Sequence, residues 1–362
     1  MKKKLFLGLL AAAAVSFTAC QKDEVLNEVQ QDNAIGFGTY VGRDAQTKAT
    51  SINNAASLQT ASTTNGFGVF AYYTENSSWD GKSSKFNPNF MNNINVKYNT
   101  DWTYNPLRYW PKLGNDVISF LAYYPYKEGT VLKSTTEGDV TTYSTKIDFE
   151  LNDNIKEQVD LMYHSIYENT DNLNNGVQNQ VDDVSFNFAH ALSRIGFKVT
   201  TGNVTNTNTN ITINKVTLSF TNSGNKGIYT LGELDIKAGT WACVTKVQKD
   251  FVWSATTETN AGSFNTNIVT VGNSIDQLNH DDSYLMIPPV DEAKYTITVN
   301  YSVKTDNGAT VNNTYTSDEN EITLKSGKAY TFVLNIGLTA ISFDAEVTDW
   351  GIVTPLTDVS VQ

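Results

Sequence analysis

VSFNFAHALSRIGFKV, residues 184–199, lies at the midpoint of a chain of 362 residues and governs how the rest is read. Val184, Phe186 and Phe188 alternate with Ser185 and Asn187, so one face is apolar at period two. Ile195, Phe197 and Val199 repeat the pattern after a break. The intervening AHALSR, residues 189–194, fits a short helical turn better than an extended strand. Two strands joined by one turn at the midpoint read as the end of one β domain and the start of the next.

Working outward, both flanks carry the same signature. Downstream, Tyr295, Ile297, Val299, Tyr301 and Val303 alternate with polar residues, as do Tyr330, Phe332, Leu334 and Ile336. Ile341, Phe343, Ala345 and Val347 follow the same rule before Thr348-Asp349-Trp350. Upstream, the strongest strand candidate is VISFLAYYPY, residues 117–126, ended by Pro125 because proline cannot donate to a ladder. A strand pair is expected within residues 140–151 and a short strand at 158–163. Gly66-Phe67-Gly68 opens a strand through Tyr73, and Ile35 to Val41 forms the first strand. Residues 42–64 are polar, contain Arg43 and Lys48, and read as a long exposed loop. A structureless run of that length inside a compact domain tends to be functional. No long amphipathic helix appears. The expected fold class is therefore all-β, with two tandem β-sandwich domains. The expected division is a signal peptide at 1–19, a tether at 20–33, an N-terminal domain at 34–192 and a C-terminal domain at 193–362.

The N-terminus is an address rather than part of the fold. Lys2, Lys3 and Lys4 precede LFLGLLAAAAV, an apolar run too short to span a bilayer as an ordinary helix. It ends at Phe17-Thr18-Ala19-Cys20, similar to a bacterial lipobox in which Cys20 is lipidated and becomes residue one. Phe17 departs from the usual leucine. Gln21-Lys22-Asp23-Glu24 resembles the signal that sends some lipoproteins to the outer face of the outer membrane. With Cys20 acylated, Cys243 has no disulfide partner, and Trp241-Ala242-Cys243-Val244 reads as a buried small hydrophobe.

Little in the sequence points to catalysis. The three histidines, His164, His190 and His280, fall in no zinc or hydrolase motif. His280-Asp281-Asp282 reads as a turn, and His190 as a hydrogen-bonded structural residue. Asp182-Asp183 reads as solvated. Trp102 to Trp110 is an aromatic cluster, with packing at a sandwich end favoured over a sugar-stacking platform. A net charge of −12 argues against nucleic acid as a partner. No enzyme activity, cofactor or metal is expected.

Several motifs in order carry a resemblance. They are the lipobox at Cys20, Trp110-Pro111, the 118–123 strand and the Phe186–Phe197 run. Leu285-x-Ile-Pro and the closing Ala345-Glu346-Val347-Thr348-Asp349-Trp350 complete the set. Together they resemble the fimbrillin family, the lipoprotein pilins of type V pili. The resemblance implies two transthyretin-like sandwiches and a lipid at Cys20 that holds the precursor on the outer membrane. It implies a trypsin-like or arginine-specific protease cutting after Arg43 or Lys48, which releases the first strand. It implies that the groove so opened accepts the C-terminal strand of another copy or a related pilin. The candidate donor residues are Ile341, Phe343 and Val347, and, in the tail beyond Trp350, Ile352, Leu356, Val359 and Val361. The product would be an adhesive surface pilus. The alternatives are an anchor or tip subunit, or a non-polymerising surface lipoprotein that binds glycan or host protein.

Overall fold

The computed structural model describes residues 34–41, 54–74, 87–111, 118–166, 183–201, 209–304, 308–337 and 341–350. Two runs of consecutive apolar residues set the first half. Phe67–Tyr73 and Ile118–Tyr124 pair antiparallel at the centre of a six-stranded sheet. Both are buried along nearly their whole length, as expected of central strands covered on both faces. Met91–Asn99 and Asp101–Thr103 extend one side, and Met162–Ile166 and Ala189–His190 the other. Because side chains alternate, the two central strands feed two different cores. Phe67, Val69, Ala71, Ile118, Phe120 and Ala122 face a core shared with the first strand. Phe70, Tyr72, Leu121 and Tyr123 face a larger core continuous with that of the second half.

The second half is a β-sandwich. One sheet joins Ser193–Thr200 to Lys328–Ile336 in parallel, with Ile341–Asp349 antiparallel at its edge. The facing sheet centres on Asn210–Thr221 and the long Val290–Lys304, paired over most of their lengths. Between them Phe197 meets Trp253 edge-on at 4.7 Å, and Tyr295 meets Phe332 at 5.1 Å. A small third sheet takes Lys146–Glu150 from the first half and pairs it with Leu231–Asp235 from the second.

Four expectations are corrected. AHALSR forms no helical turn: Ala189–His190 pairs with Met162 and Tyr163, and Ser193 begins the next strand. The long polar loop contains the helix Ala55–Ser62, capped by Asn54, whose side chain accepts the Ser57 N–H at 2.8 Å. Val140–Tyr143 and Lys146–Glu150 do not pair with each other; the former makes a hairpin with Ser134–Glu137. Gln158 precedes the strand, which runs Met162–Ile166.

Candidate functional site

Among the described residues, the first strand, Phe37–Tyr40, has one sheet partner. It runs parallel to Val184–Asn187, with Phe37 opposite Val184 and Thr39 opposite Phe186. Parallel pairing is slightly weaker per residue than antiparallel, and four residue pairs are few. Apolar burial supplies most of the hold. Ile35, Phe37 and Val41 are each only 1% exposed, worth about 1.5–3 kcal/mol apiece. Four rings surround Phe37: Tyr104 at 5.2 Å, Phe186 at 5.7 Å, Phe120 at 6.1 Å and Phe67 at 6.2 Å.

Backbone groups at the strand's entry are tied down individually. The Ile35 N–H donates to the Arg108 carbonyl at 2.9 Å. Tyr104 Oη donates to the Ile35 carbonyl at 2.9 Å and accepts the Arg108 N–H at 3.2 Å. The Val184 N–H donates to the Gly36 carbonyl at 2.9 Å. On the strand's other face, a Cβ at Gly36 would collide with the Asp183 carboxyl. One at Gly38 would lie 3.1 Å from Ser185 Oγ. The Gly-Phe-Gly of this strand is thus a fit to a slot, aromatic within and tight without.

Among the described residues, several polar groups in this region lack a hydrogen-bond partner, Thr39 and His164 among them. Thr39 Oγ1 and His164 Nδ1 are buried without a hydrogen bond, and the His164 ring lies 6.0 Å from that of Phe186. Burial holds the His164 pKa below its ordinary value. The unfolded chain therefore binds a proton more readily than the folded one. Stability due to His164 is full above about pH 6.5 and falls as acid takes the solution below it. Denaturant midpoints at pH 7 and pH 5 should differ less in His164→Phe than in the parent, and an equal difference would refute the assignment.

The two tryptophans of the aromatic cluster pack inward, while Tyr109 is exposed. Trp102 meets Phe67 at 5.0 Å, and Trp110 is buried 6.1 Å from Phe120. His190 bonds Asp160 Oδ1 through Nδ1 at 2.8 Å, both buried. Its ring stacks on Trp350 at 3.9 Å and 7°. Arg194 lies over both Trp350 and Tyr284, at 5.2 and 4.6 Å. Trp350 thereby anchors the end of the last strand against the midpoint segment. Sequence reading found His190 but missed this clamp.

His280 Nδ1 and Asp282 Oδ1 are 2.9 Å apart in an exposed turn. Among the described residues no group of His, Cys, Asp and Glu is placed to hold a metal. Cys243 is half-buried rather than fully buried, and burial pushes its thiol up to about 11. At pH 8 it should alkylate about two orders of magnitude more slowly than a free cysteine. Iodoacetamide mass labelling of native and denatured protein measures this, and equal rates would contradict the buried setting.

Of the remaining expected site residues, Ile341, Phe343 and Val347 lie in the last strand. Ile341–Asp349 pairs along its whole length with the chain's own Lys328–Ile336. Phe343 also packs 5.4 Å from Tyr315 of the facing sheet. Cys20, Arg43, Lys48, Ile352, Leu356, Val359 and Val361 lie outside the described residues.

Comparison with known proteins agrees with this architecture. The chain is 27% identical to the fimbrium subunit Fim1C of Phocaeicola vulgatus, over 93% of its own length and 94% of the relative's. Its fold is similar to the crystal structure of a fimbrial protein from Bacteroides vulgatus, with a TM-score of 0.62 at 24% identity. That likeness covers 88% of this chain and 99% of the other. The fimbrillin-like family model matches residues 47–350, which span both halves of the fold and stop at the Trp350 clamp. By that match, and with the all-β architecture it accompanies, the chain belongs to the fimbrillin-like family.

Proposed function

We propose that the protein is a structural fimbrial subunit, a cell-surface pilin rather than an enzyme, exported as an outer-membrane lipoprotein through Cys20. Cleavage after Arg43 or Lys48 then frees the first strand, and the vacated groove takes a strand from another copy or a related pilin. The two halves act as two sandwich domains joined near residues 190–194. One observation carries this reading: a short strand, whose only ladder among the described residues is the four-residue one with Val184–Asn187, fills an aromatic groove with three buried apolar side chains. Removing such a strand exposes both an unpaired edge and an apolar trough, which together form a template for strand addition. Membership of the fimbrillin-like family supports the same reading.

N-terminal sequencing of assembled material tests it. The expected mature N-terminus is Asp44 or Ala49; one still beginning at Cys20 would indicate an anchor or a monomeric lipoprotein. In a second test, deletion of residues 351–362 should leave a folded, cleavable protein that no longer polymerises. Fibres at wild-type yield would remove the tail as the donor.

A further inference from the structure

The first strand is read from both faces, and the outer face is the more demanding. Inside, four rings form a pocket for one large apolar residue at the Phe37 position. Outside, Asp183 lies against the backbone of Gly36, and Ser185 against that of Gly38. A side chain at the Gly36 position meets a carboxylate before anything else. A neutral small residue can be accommodated if Asp183 swings toward solvent, since it is exposed. An acid there adds like-charge repulsion at contact distance.

We propose that Asp183 and Ser185 are specificity-determining residues of the groove. Asp183 admits a strand whose large apolar residue is preceded by glycine or another small uncharged residue and rejects one preceded by an acid, while Ser185 crowds the residue that follows, Val353 in the tail. The occupant this selects is the Gly351-Ile352 segment of a second copy, with Ile352 in the Phe37 pocket and Gly351 against Asp183. This identification rests on the strand-exchange reading above; the selectivity of the slot does not.

The sequence after Ile341 discriminates in part under this rule, since Leu356 and Val361 also have no acidic neighbour. Phe343 is followed by Asp344, Val347 is preceded by Glu346, and Val359 is preceded by Asp358. Glu346 and Asp358 would fall at the Gly36 position against Asp183, whereas Asp344 would fall at the Gly38 position beside Ser185, and Phe343 is held in its own sheet. Ile341 has small neighbours but is already held in its own sheet. Among these apolar candidates, Ile352 is the one with an adjacent glycine. The twelve residues after Trp350 reach roughly 40 Å when extended, enough to lie along a neighbour's groove.

The test has two arms. In the full chain, Gly36→Asp should raise amide hydrogen exchange at Phe37–Tyr40 at least tenfold, and adding Asp183→Asn should return it to within threefold of the parent. Gly36→Ala, which adds bulk without charge, should raise it less than Gly36→Asp. If Asp183→Asn restores nothing, or if alanine is as damaging as aspartate, the charge selection is overturned. In the second arm, trypsin-nicked protein is offered synthetic peptides, and release of the first strand is followed by mass spectrometry. A peptide of residues 351–362 should displace it, Gly351→Asp should weaken displacement at least tenfold, and Asp183→Asn in the protein should recover it. A peptide of residues 341–349 should displace poorly; displacement equal to that of the tail would overturn the choice of occupant. If no peptide displaces the strand, strand exchange and the tail as occupant both fall, while the first arm still decides the selectivity.

Discussion

Phe37→Ala is expected to destabilise the first half by about 3–5 kcal/mol, the usual range for emptying a buried aromatic site. The groove offers little means of collapse around the vacancy. The surrounding rings of Phe67, Tyr104, Phe120 and Phe186 are fixed on four separate segments. The strand has only four residue pairs with which to stay in place once its main side chain is gone. Loss should therefore show first as local opening, with amides of Phe37–Tyr40 exchanging before those of Ile118–Tyr124. Equilibrium denaturation gives the total, and native-state hydrogen exchange gives the location. A change below about 1 kcal/mol would mean that the strand is not held by this pocket.

Trp350→Ala carries an effect of similar size, about 3–5 kcal/mol, in the other core. The indole is 4% exposed. It stacks on His190 and lies under Arg194, and its backbone N–H donates to the Gly327 carbonyl at 2.8 Å. Truncation leaves the buried Asp160–His190 pair beside a cavity and releases the end of an edge strand. Trp350→Phe keeps a flat ring and should recover more than half of the loss. Because Phe37 and Trp350 belong to separate cores, the double variant should lose about the sum of the single losses. A double variant no worse than Trp350→Ala would show that the two cores are coupled.

The long strands Asn210–Thr221 and Val290–Lys304 of the second half were legible because each has one wetter and one dry face. Tyr295 to Val303 alternates in sequence and alternates in burial within Val290–Lys304. Ile341 to Val347 likewise predicts the last strand. The midpoint break was legible as a break but not in kind. Ala189, Ala191 and Leu192 favour helix locally, yet pairing of Ala189–His190 with Met162 and Tyr163 prevails, as tertiary context often does over propensity. The helix Ala55–Ser62 went unseen because it has no apolar stripe. Its signal was Asn54-x-x-Ser57, a capping box with serine in place of the usual acid.

The site itself was half visible. The run Ile35 to Val41 reads as a strand in the sequence, but nothing there says why Gly36 and Gly38 are glycines. What makes those glycines necessary is Asp183, almost 150 residues away in sequence. Asp183 looked solvated because it sits in a polar run. It is indeed exposed, but one side of its carboxyl covers the first strand. Similarly, nothing near Trp350 in the sequence names His190 or Arg194 as its stacking partners.

The strand that crosses between the halves bears on how the molecule carries load. Lys146–Glu150 lies in the first half of the sequence but is matched residue for residue to Leu231–Asp235. Lys133 and Lys146 add ion pairs to Glu233 across the same sheet, at 3.6 and 3.5 Å. A force that draws the two ends of the chain apart cannot bend the molecule about residue 192 without stripping those five pairs together. Bodies of this kind strung end to end would resist bending within each link, leaving the joints between links as the compliant part. The flexibility of such a string would then depend on its inter-subunit joints and hardly at all on the interior of the protein.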